Sequence, residues 1–178
     1  EQIILRAFQR IRNAHPNLLL ILVPRHPERF DAVARLTKRT GFKLARRSTV
    51  DELDVGADVY LADTMGELSL LYGVADVAFV GGSLVELGGQ NLLEPCALGV
   101  PVCSGPHMFN FAEISRWVTD AGAGFQVNDE DELYETINSL LSDPNLRHDC
   151  GQLGKQLILD HSGALEKASA HLVAKGFI

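Results

Sequence analysis

Fully apolar runs alternate with segments of helical spacing along this chain of 178 residues. The run LLLILV at 18–23 is apolar at every position, whereas the apolar residues of 3–11 recur at the spacing of one helical face. A strand without polar alternation is typical of a parallel sheet that is covered on both faces. The pattern therefore predicts a layered α/β protein that opens with a helix.

The same alternation continues to the end of the chain. Strands are predicted at 18–23, 42–48, 59–63, 76–80, 99–105 and 123–127. Helices are predicted at 3–11, 27–41, 66–75, 91–99, 111–122 and 129–144, and two further helices at 144–159 and 163–174. Together they predict one domain over 1–178 with a doubly wound, mostly parallel, Rossmann-like sheet.

The stretch FVGGSLVELGGQNLLEP, residues 79–95, combines a strand end, two glycine pairs and a helix start. Backbone N–H groups at a helix start lack partners, and glycines allow a ligand to approach the backbone closely. This predicts a phosphate near Gly89, Gln90 and Asn91. Glu94 follows on the same helix, where its carboxylate suits ribose hydroxyls, although an acid that favours the helix dipole would stand there too.

Composition narrows the function classes. A net charge of −7 and a pI of about 5.3 argue against general nucleic-acid binding. Basic residues bunch between 25 and 47, either as a solvated helix face or as a surface for anionic lipid or another domain. The three cysteines fit a reducing compartment, and no metal-ligand spacing or membrane-length apolar run occurs.

The motif at 79–95, followed by GPHMFNF at 105–111, resembles the 3-deoxy-D-manno-octulosonic acid (Kdo) transferases of Gram-negative lipopolysaccharide synthesis. PRHPERF at 24–30 and DTMGEL at 63–68 resemble the same family. The resemblance implies the C-terminal half of a GT-B type glycosyltransferase that binds CMP-Kdo and transfers Kdo to a lipid A precursor.

The resemblance also implies what this chain would lack. A strand, an N-terminal acceptor domain and a membrane anchor are expected before Glu1, at the cytoplasmic face of the inner membrane. The catalytic base is expected in that domain, so no catalytic residue is assigned here, and the chain alone is expected to bind donor without turnover. No cofactor and no metal are expected, because a monophosphate linkage can be held by N–H groups.

The family pattern places the CMP-Kdo phosphate and ribose on one loop and helix. Gln90 stands where the family more often has His. Ser83 has a second interpretation, as a residue that only caps the turn. The residues implied around the phosphate are Gly82, Ser83, Gly89, Gln90 and Asn91, with Glu94 at the ribose.

Two other strand ends supply candidates. Arg25 follows a strand and would pair with phosphate or pack on the base, or be a plain surface arginine, while His26 lies in a turn that prolines already explain. Met65, Gly66 and Glu67 follow another strand, where a backbone carbonyl and N–H can select cytosine. Glu67 would otherwise simply start a helix.

His107 and Asn110 in GPHMFN are implied to lie near the sugar or the domain cleft. His107 suits an acid or base, but a loop histidine held by local bonds fits equally. Two other functions stay open: half of a UDP-sugar glycosyltransferase or epimerase, and a nucleotide-binding module without a catalytic partner.

Overall fold

A computed structural model of the chain describes residues 1–49 and 56–174, with side chains described as far as residue 161. Its strands are β1 Leu20–Leu22, β2 Leu44–Arg46, β3 Val59–Leu61, β4 Ala78–Val80, β5 Val102–Ser104 and β6 Gly124–Gln126. Its α-helices are α1 Gln2–Ala14, α2 Phe30–Arg39, α3 Leu68–Gly73, α4 Leu93–Leu98, α5 Ala112–Asp120, α6 Glu130–Ser142 and α7 Pro144–Ala174. The predicted α/β class is confirmed.

The strands pair in parallel within two three-stranded sheets, in the orders β1-β3-β2 and β4-β5-β6. The described β1 and β4 are therefore both edge strands, and they are not hydrogen-bonded to each other. Because all pairs are parallel, the strand ends that precede a helix gather at the same edge of each sheet, where ligands bind in open α/β sheets.

The second sheet is covered on both faces, as the continuous apolar runs predict. Ala78, Val80 and Val102 pack in one core with residues of α4 and α5, whereas Cys103 packs on the opposite face with residues of α1 and α6. Helix α1 serves both halves of the molecule, since its Leu5 and Phe8 pack in the core of the first sheet.

Some predicted elements differ from the structure in their bounds. The segment 27–41 begins with a 3-10 turn at Pro27–Arg29, and the α-helix starts only at Phe30. The two helices predicted at 144–159 and 163–174 form the single helix α7. One glycine inside a helix costs only about 1 kcal/mol, so Gly163 is too weak a signal to end it.

Helix α4 also starts later than predicted, at Leu93 rather than at Asn91. The Asn91 side-chain oxygen accepts a hydrogen bond from the Leu93 N–H at 3.0 Å, which ends the preceding loop. Asparagine commonly binds the backbone in this way just before a helix. None of the helices within residues 1–49 and 56–174 combines the length and the apolar character that a membrane span requires.

Candidate functional site

The loops that follow β4 and β5 are joined to each other. The His107 N–H donates to the Ser83 carbonyl at 2.9 Å, and the Asn110 N–H donates to the Gly88 carbonyl at 3.3 Å. The glycine-rich loop and the GPHMFN loop, predicted separately as parts of one site, therefore form one unit at the carboxyl edge of the second sheet.

Ser83 belongs to the scaffold of this unit. Its side chain is fully buried, and its hydroxyl donates to the Val80 carbonyl while it accepts from the Gly105 N–H at 2.7 Å. A hydroxyl with its proton already donated and no exposure is unavailable to a phosphate. The geometry of the hydroxyl favours the second interpretation, a residue that caps the turn, and the phosphate contact of Ser83 stays a prediction.

Gly89 lies where the glycine-rich loop and the GPHMFN loop pack together. It is buried, and its N–H already donates to the Gly82 carbonyl at 3.1 Å, which closes the loop between them. A Cβ at Gly89 would stand 2.1 Å from the Met108 sulfur. Because Gly89 has no side chain, the two loops can pack together here. Its N–H already donates to the Gly82 carbonyl and is therefore not free for a phosphate.

Free donors begin one residue later. Among the described residues, the backbone N–H groups of Gln90, Asn91, Leu92 and Glu94 donate to no protein acceptor. Nearly all backbone N–H groups in folded proteins have a partner, so a run without one indicates a place for a ligand or ordered water. At the start of α4, such a run is suited to an anion.

Glu94 stands beside these donors on the first turn of α4. Its side chain is half-buried, and the described residues offer it neither a hydrogen bond nor an ion pair. Its charge acts on Tyr72 of α3. The pKa of Tyr72 is raised to about 12, mainly by burial and to a smaller extent by the negative charge of Glu94. An unpaired carboxylate next to unpaired N–H groups can accept hydrogen bonds from a bound hydroxyl group.

Arg25 connects the two sheets. Its guanidinium donates a hydrogen bond to the side-chain oxygen of Gln90, so the strand end of β1 lies next to the start of α4. Arg25 is exposed and has further N–H groups to offer an anion. His26, by contrast, is exposed and lies 3.8 Å from the Glu28 carboxylate, without a contact to the other candidate residues.

The loop after β3 is connected to the site by helix α3. This helix follows the loop and packs beside α4, and the charge of Glu94 on α4 raises the pKa of Tyr72 on α3. Met65 is 64% exposed, and Gly66 adopts a left-handed φ of +86°, with no described atom within 4 Å of a Cβ position there. Glu67 precedes α3 without capping it, and its carboxylate instead accepts hydrogen bonds from Thr64 and Arg47.

His107 and Asn110 differ in exposure. His107 is half-buried, and no side-chain hydrogen bond is formed by it within the described chain, whereas Asn110 is exposed. A Cβ at Gly88 would stand 2.1 Å from the Asn110 amide nitrogen, so Asn110 lies directly over the glycine pair. The structure therefore places both residues against the glycine-rich loop, which precedes the free N–H groups at the start of α4.

The family described as glycosyl transferases group 1 matches residues 2–157. This chain belongs to that family. The family match and the parallel α/β layers agree with the GT-B type fold that the sequence predicts.

Individual relatives narrow the comparison. A 3-deoxy-D-manno-octulosonic acid transferase of Haemophilus influenzae is 44% identical over 168 residues, which is 94% of this chain and 39% of the relative. The Bordetella pertussis transferase of the same name is 41% identical over 90% of this chain and 38% of its own length. The predicted resemblance is confirmed, and the chain spans about two fifths of these curated relatives.

A solved structure agrees with both findings. The C-terminal CMP-Kdo binding domain of WaaA from Acinetobacter baumannii superimposes with a TM-score of 0.81 at 37% identity. The match covers 86% of this chain and 80% of that domain.

Several residues that build the site were not predicted from sequence. Met108 is buried over Gly89, while Thr64 and Arg47 hold Glu67. One sequence signal for Met108 was available. The pair Gly88-Gly89 can be packed closely by an apolar residue of a later loop, and Met108 is such a residue. Among residues 1–49 and 56–161, no group of three His, Cys, Asp or Glu side chains is arranged to hold a metal ion.

Proposed function

We propose that this chain is the donor-binding part of a Kdo transferase and that it holds CMP-Kdo. The N–H groups between Gln90 and Glu94 would bind the phosphate, and the Glu94 carboxylate would accept the ribose hydroxyls. The loop at 64–67 would face the cytosine, and Arg25 the phosphate. The names of the transferases from two bacteria and of the CMP-Kdo binding domain support this assignment.

The observation that carries the proposal is the free carboxylate of Glu94 beside the free backbone N–H groups at the start of α4. A bound anion would accept hydrogen bonds from these N–H donors. A carboxylate beside them can also accept hydrogen bonds from ribose hydroxyls, which favours a nucleotide over a simple phosphate. Glu86, a second carboxylate in the stretch 79–95, is exposed, whereas Glu94 is half-buried on the first turn of α4.

The proposed reaction is an inverting transfer. A base removes the proton of an acceptor hydroxyl, the oxygen attacks the anomeric carbon of Kdo, and CMP leaves with the bonding electrons. In this chain, N–H groups would stabilise the negative charge of the departing phosphate without a metal ion. The base and the lipid A acceptor would belong to the N-terminal domain of the whole protein, so this chain alone would bind donor and transfer nothing.

The cellular setting follows from the acceptor. We place the whole protein at the cytoplasmic face of the inner membrane of a Gram-negative bacterium, where a lipid acceptor is reached at the membrane surface. Exposed Arg35, Lys38 and Arg39 on one face of α2 support an orientation toward anionic lipid.

The test is calorimetric titration of the chain with CMP, UMP and CDP in the absence of metal, repeated on Glu94→Ala. We expect CMP to bind more tightly than UMP. Glu94→Ala should weaken CMP binding about tenfold or more, because hydrogen bonds to a charged group contribute roughly 1.5–3 kcal/mol. Glu135→Ala, at an exposed position of α6, is the matched control.

Each other result has a defined meaning. A preference for uridine nucleotides would replace the proposal with a UDP-sugar glycosyltransferase or epimerase. CMP binding that is unchanged in Glu94→Ala would remove the ribose role of the acid. Nucleotide binding by the whole protein without Kdo transfer would favour a binding module that has no catalytic function.

A further inference from the structure

The carboxylate of Glu67 closes the loop after β3 on itself and on its neighbour. One oxygen accepts from the Thr64 hydroxyl, and the other accepts from the Arg47 Nε at 3.2 Å and Nη2 at 3.0 Å. These hydrogen bonds lower the pKa of Glu67, and the bond from Thr64 has a larger effect than those from Arg47. The carboxylate therefore stays charged, and the pair stays formed, throughout the neutral pH range.

A second carboxylate anchors the other end of the same loop. Asp63 accepts from the Ser48 N–H at 2.8 Å, from the Ser48 hydroxyl at 2.6 Å and from the Arg46 Nε at 2.7 Å. Its side chain is only 1% exposed. Burial alone would raise the pKa of Asp63, but the bonds from Ser48 and Arg46 outweigh burial and lower it.

Both carboxylates are held by the end of β2 and the residues that follow it, which supply Arg46, Arg47 and Ser48. The Arg47 N–H also donates to the Leu61 carbonyl at 2.9 Å, so the backbone of this segment is registered against β3. Among the described residues, packing does not fix the tip of the loop, since Met65 is largely exposed and no described atom lies within 4 Å of a Cβ position at Gly66. The position of the loop backbone thus depends on Asp63 and Glu67.

We propose that Arg47, through Glu67, is a positioning residue that sets the preference for cytosine over uracil. This inference rests on the proposed function, in which the loop at 64–67 faces the base. Cytosine and uracil differ at two neighbouring ring positions, where a donor and an acceptor change places. A backbone carbonyl and N–H can read that difference only if they are held in place.

The contribution of Arg47 should be geometric and not a matter of global stability. Its side chain is 44% exposed, and exposed ion pairs contribute little to the free energy of unfolding. A change at Arg47 should therefore alter the choice of base and leave the melting temperature close to that of the wild type.

The experiment is calorimetric titration of wild type, Arg47→Ala, Arg47→Lys and Arg39→Ala with CMP and with UMP, together with a melting curve for each. In Arg47→Ala, we expect the ratio of CMP to UMP affinity to fall about tenfold, the effect of one well-placed hydrogen bond. Arg47→Lys should recover part of this ratio, because it keeps the charge but loses the two-pronged geometry. Arg39, an exposed arginine of α2 without a side-chain partner in the described chain, provides the control.

The outcomes separate this inference from the proposed function. If the wild type prefers CMP and Arg47→Ala keeps the full preference, Arg47 has no positioning role and the proposed function stands. An equal loss of CMP and UMP affinity with a lowered melting temperature would show a purely structural role and overturn the inference. If the wild type binds no CMP, or prefers UMP, the proposed function fails and this inference fails with it.

Discussion

A single buried hydroxyl, that of Ser83, connects the ends of β4 and β5. Gly105 completes the connection, because a Cβ there would stand 2.2 Å from the Ser83 carbonyl oxygen. The motif GGS was predictable as part of a site, but the sequence left its serine either at the phosphate or as a cap of the turn. Local sequence shows that a serine follows a strand, whereas the partner of its hydroxyl lies 22 residues away along the chain.

Ser83→Ala should destabilise the fold by about 1–3 kcal/mol, because the Gly105 N–H is left buried without an acceptor. Urea unfolding monitored by circular dichroism measures this loss. Ser139→Ala, at an exposed position of α6, should change the unfolding free energy by less than about 0.5 kcal/mol. Equal midpoints for Ser83→Ala and the wild type would contradict the scaffold role.

Among the elements, α4 depends on α7 for its position. A Cβ at Gly151 would stand 2.1 Å from the Gly99 carbonyl oxygen, and one at Gly154 would stand 3.2 Å from the Cys96 Cα. These small residues let α7 approach the helix that carries Glu94. The apolar pattern predicted both segments as helical, but it could not show that the glycines of α7 mark a contact with α4.

Gly151→Ala should push α7 away from α4, at a cost of about 1–3 kcal/mol in unfolding free energy, and should weaken CMP binding. The matched control is Gly73→Ala at the end of α3, where a Cβ meets no atom of the described residues within 4 Å. That change should be neutral or stabilise the fold by up to about 1 kcal/mol. Thermal unfolding and calorimetry on both variants provide the comparison, and similar behaviour of the two would argue against the close contact.

At the scale of the whole molecule, two parallel sheets share helix α1 and are linked near the site by Arg25 and Gln90. The cysteines report on the integrity of the cores around the second sheet. Burial raises the pKa of Cys96 to about 11 and, with Cys150 nearby, that of Cys103 to about 12. Burial likewise raises the pKa of Cys150.

These thiols should react with a disulfide reagent at pH 8 about 100-fold or more slowly in the native protein than in denaturant. Raised thiol pKa values favour the folded state at neutral pH, and this contribution is lost as the pH rises above the ordinary thiol value of about 8.5. The free energy of unfolding should therefore be lower at pH 10 than at pH 7. Rapid native labelling at pH 8 would show that the cores open far more easily than their packing indicates.

The sequence by itself determined the α/β class, the parallel strands, the order of the elements and the family, because each rests on local periodicity and short motifs. It also predicted a binding site at the start of α4, beside Glu94, since a helix start leaves N–H groups free wherever it occurs. Only the tertiary structure decided that Ser83 and Gly89 are scaffold, that Gln90 meets Arg25, and that Arg47 holds Glu67. These contacts join residues distant along the chain, and their geometry is set when the sheets and helices pack together.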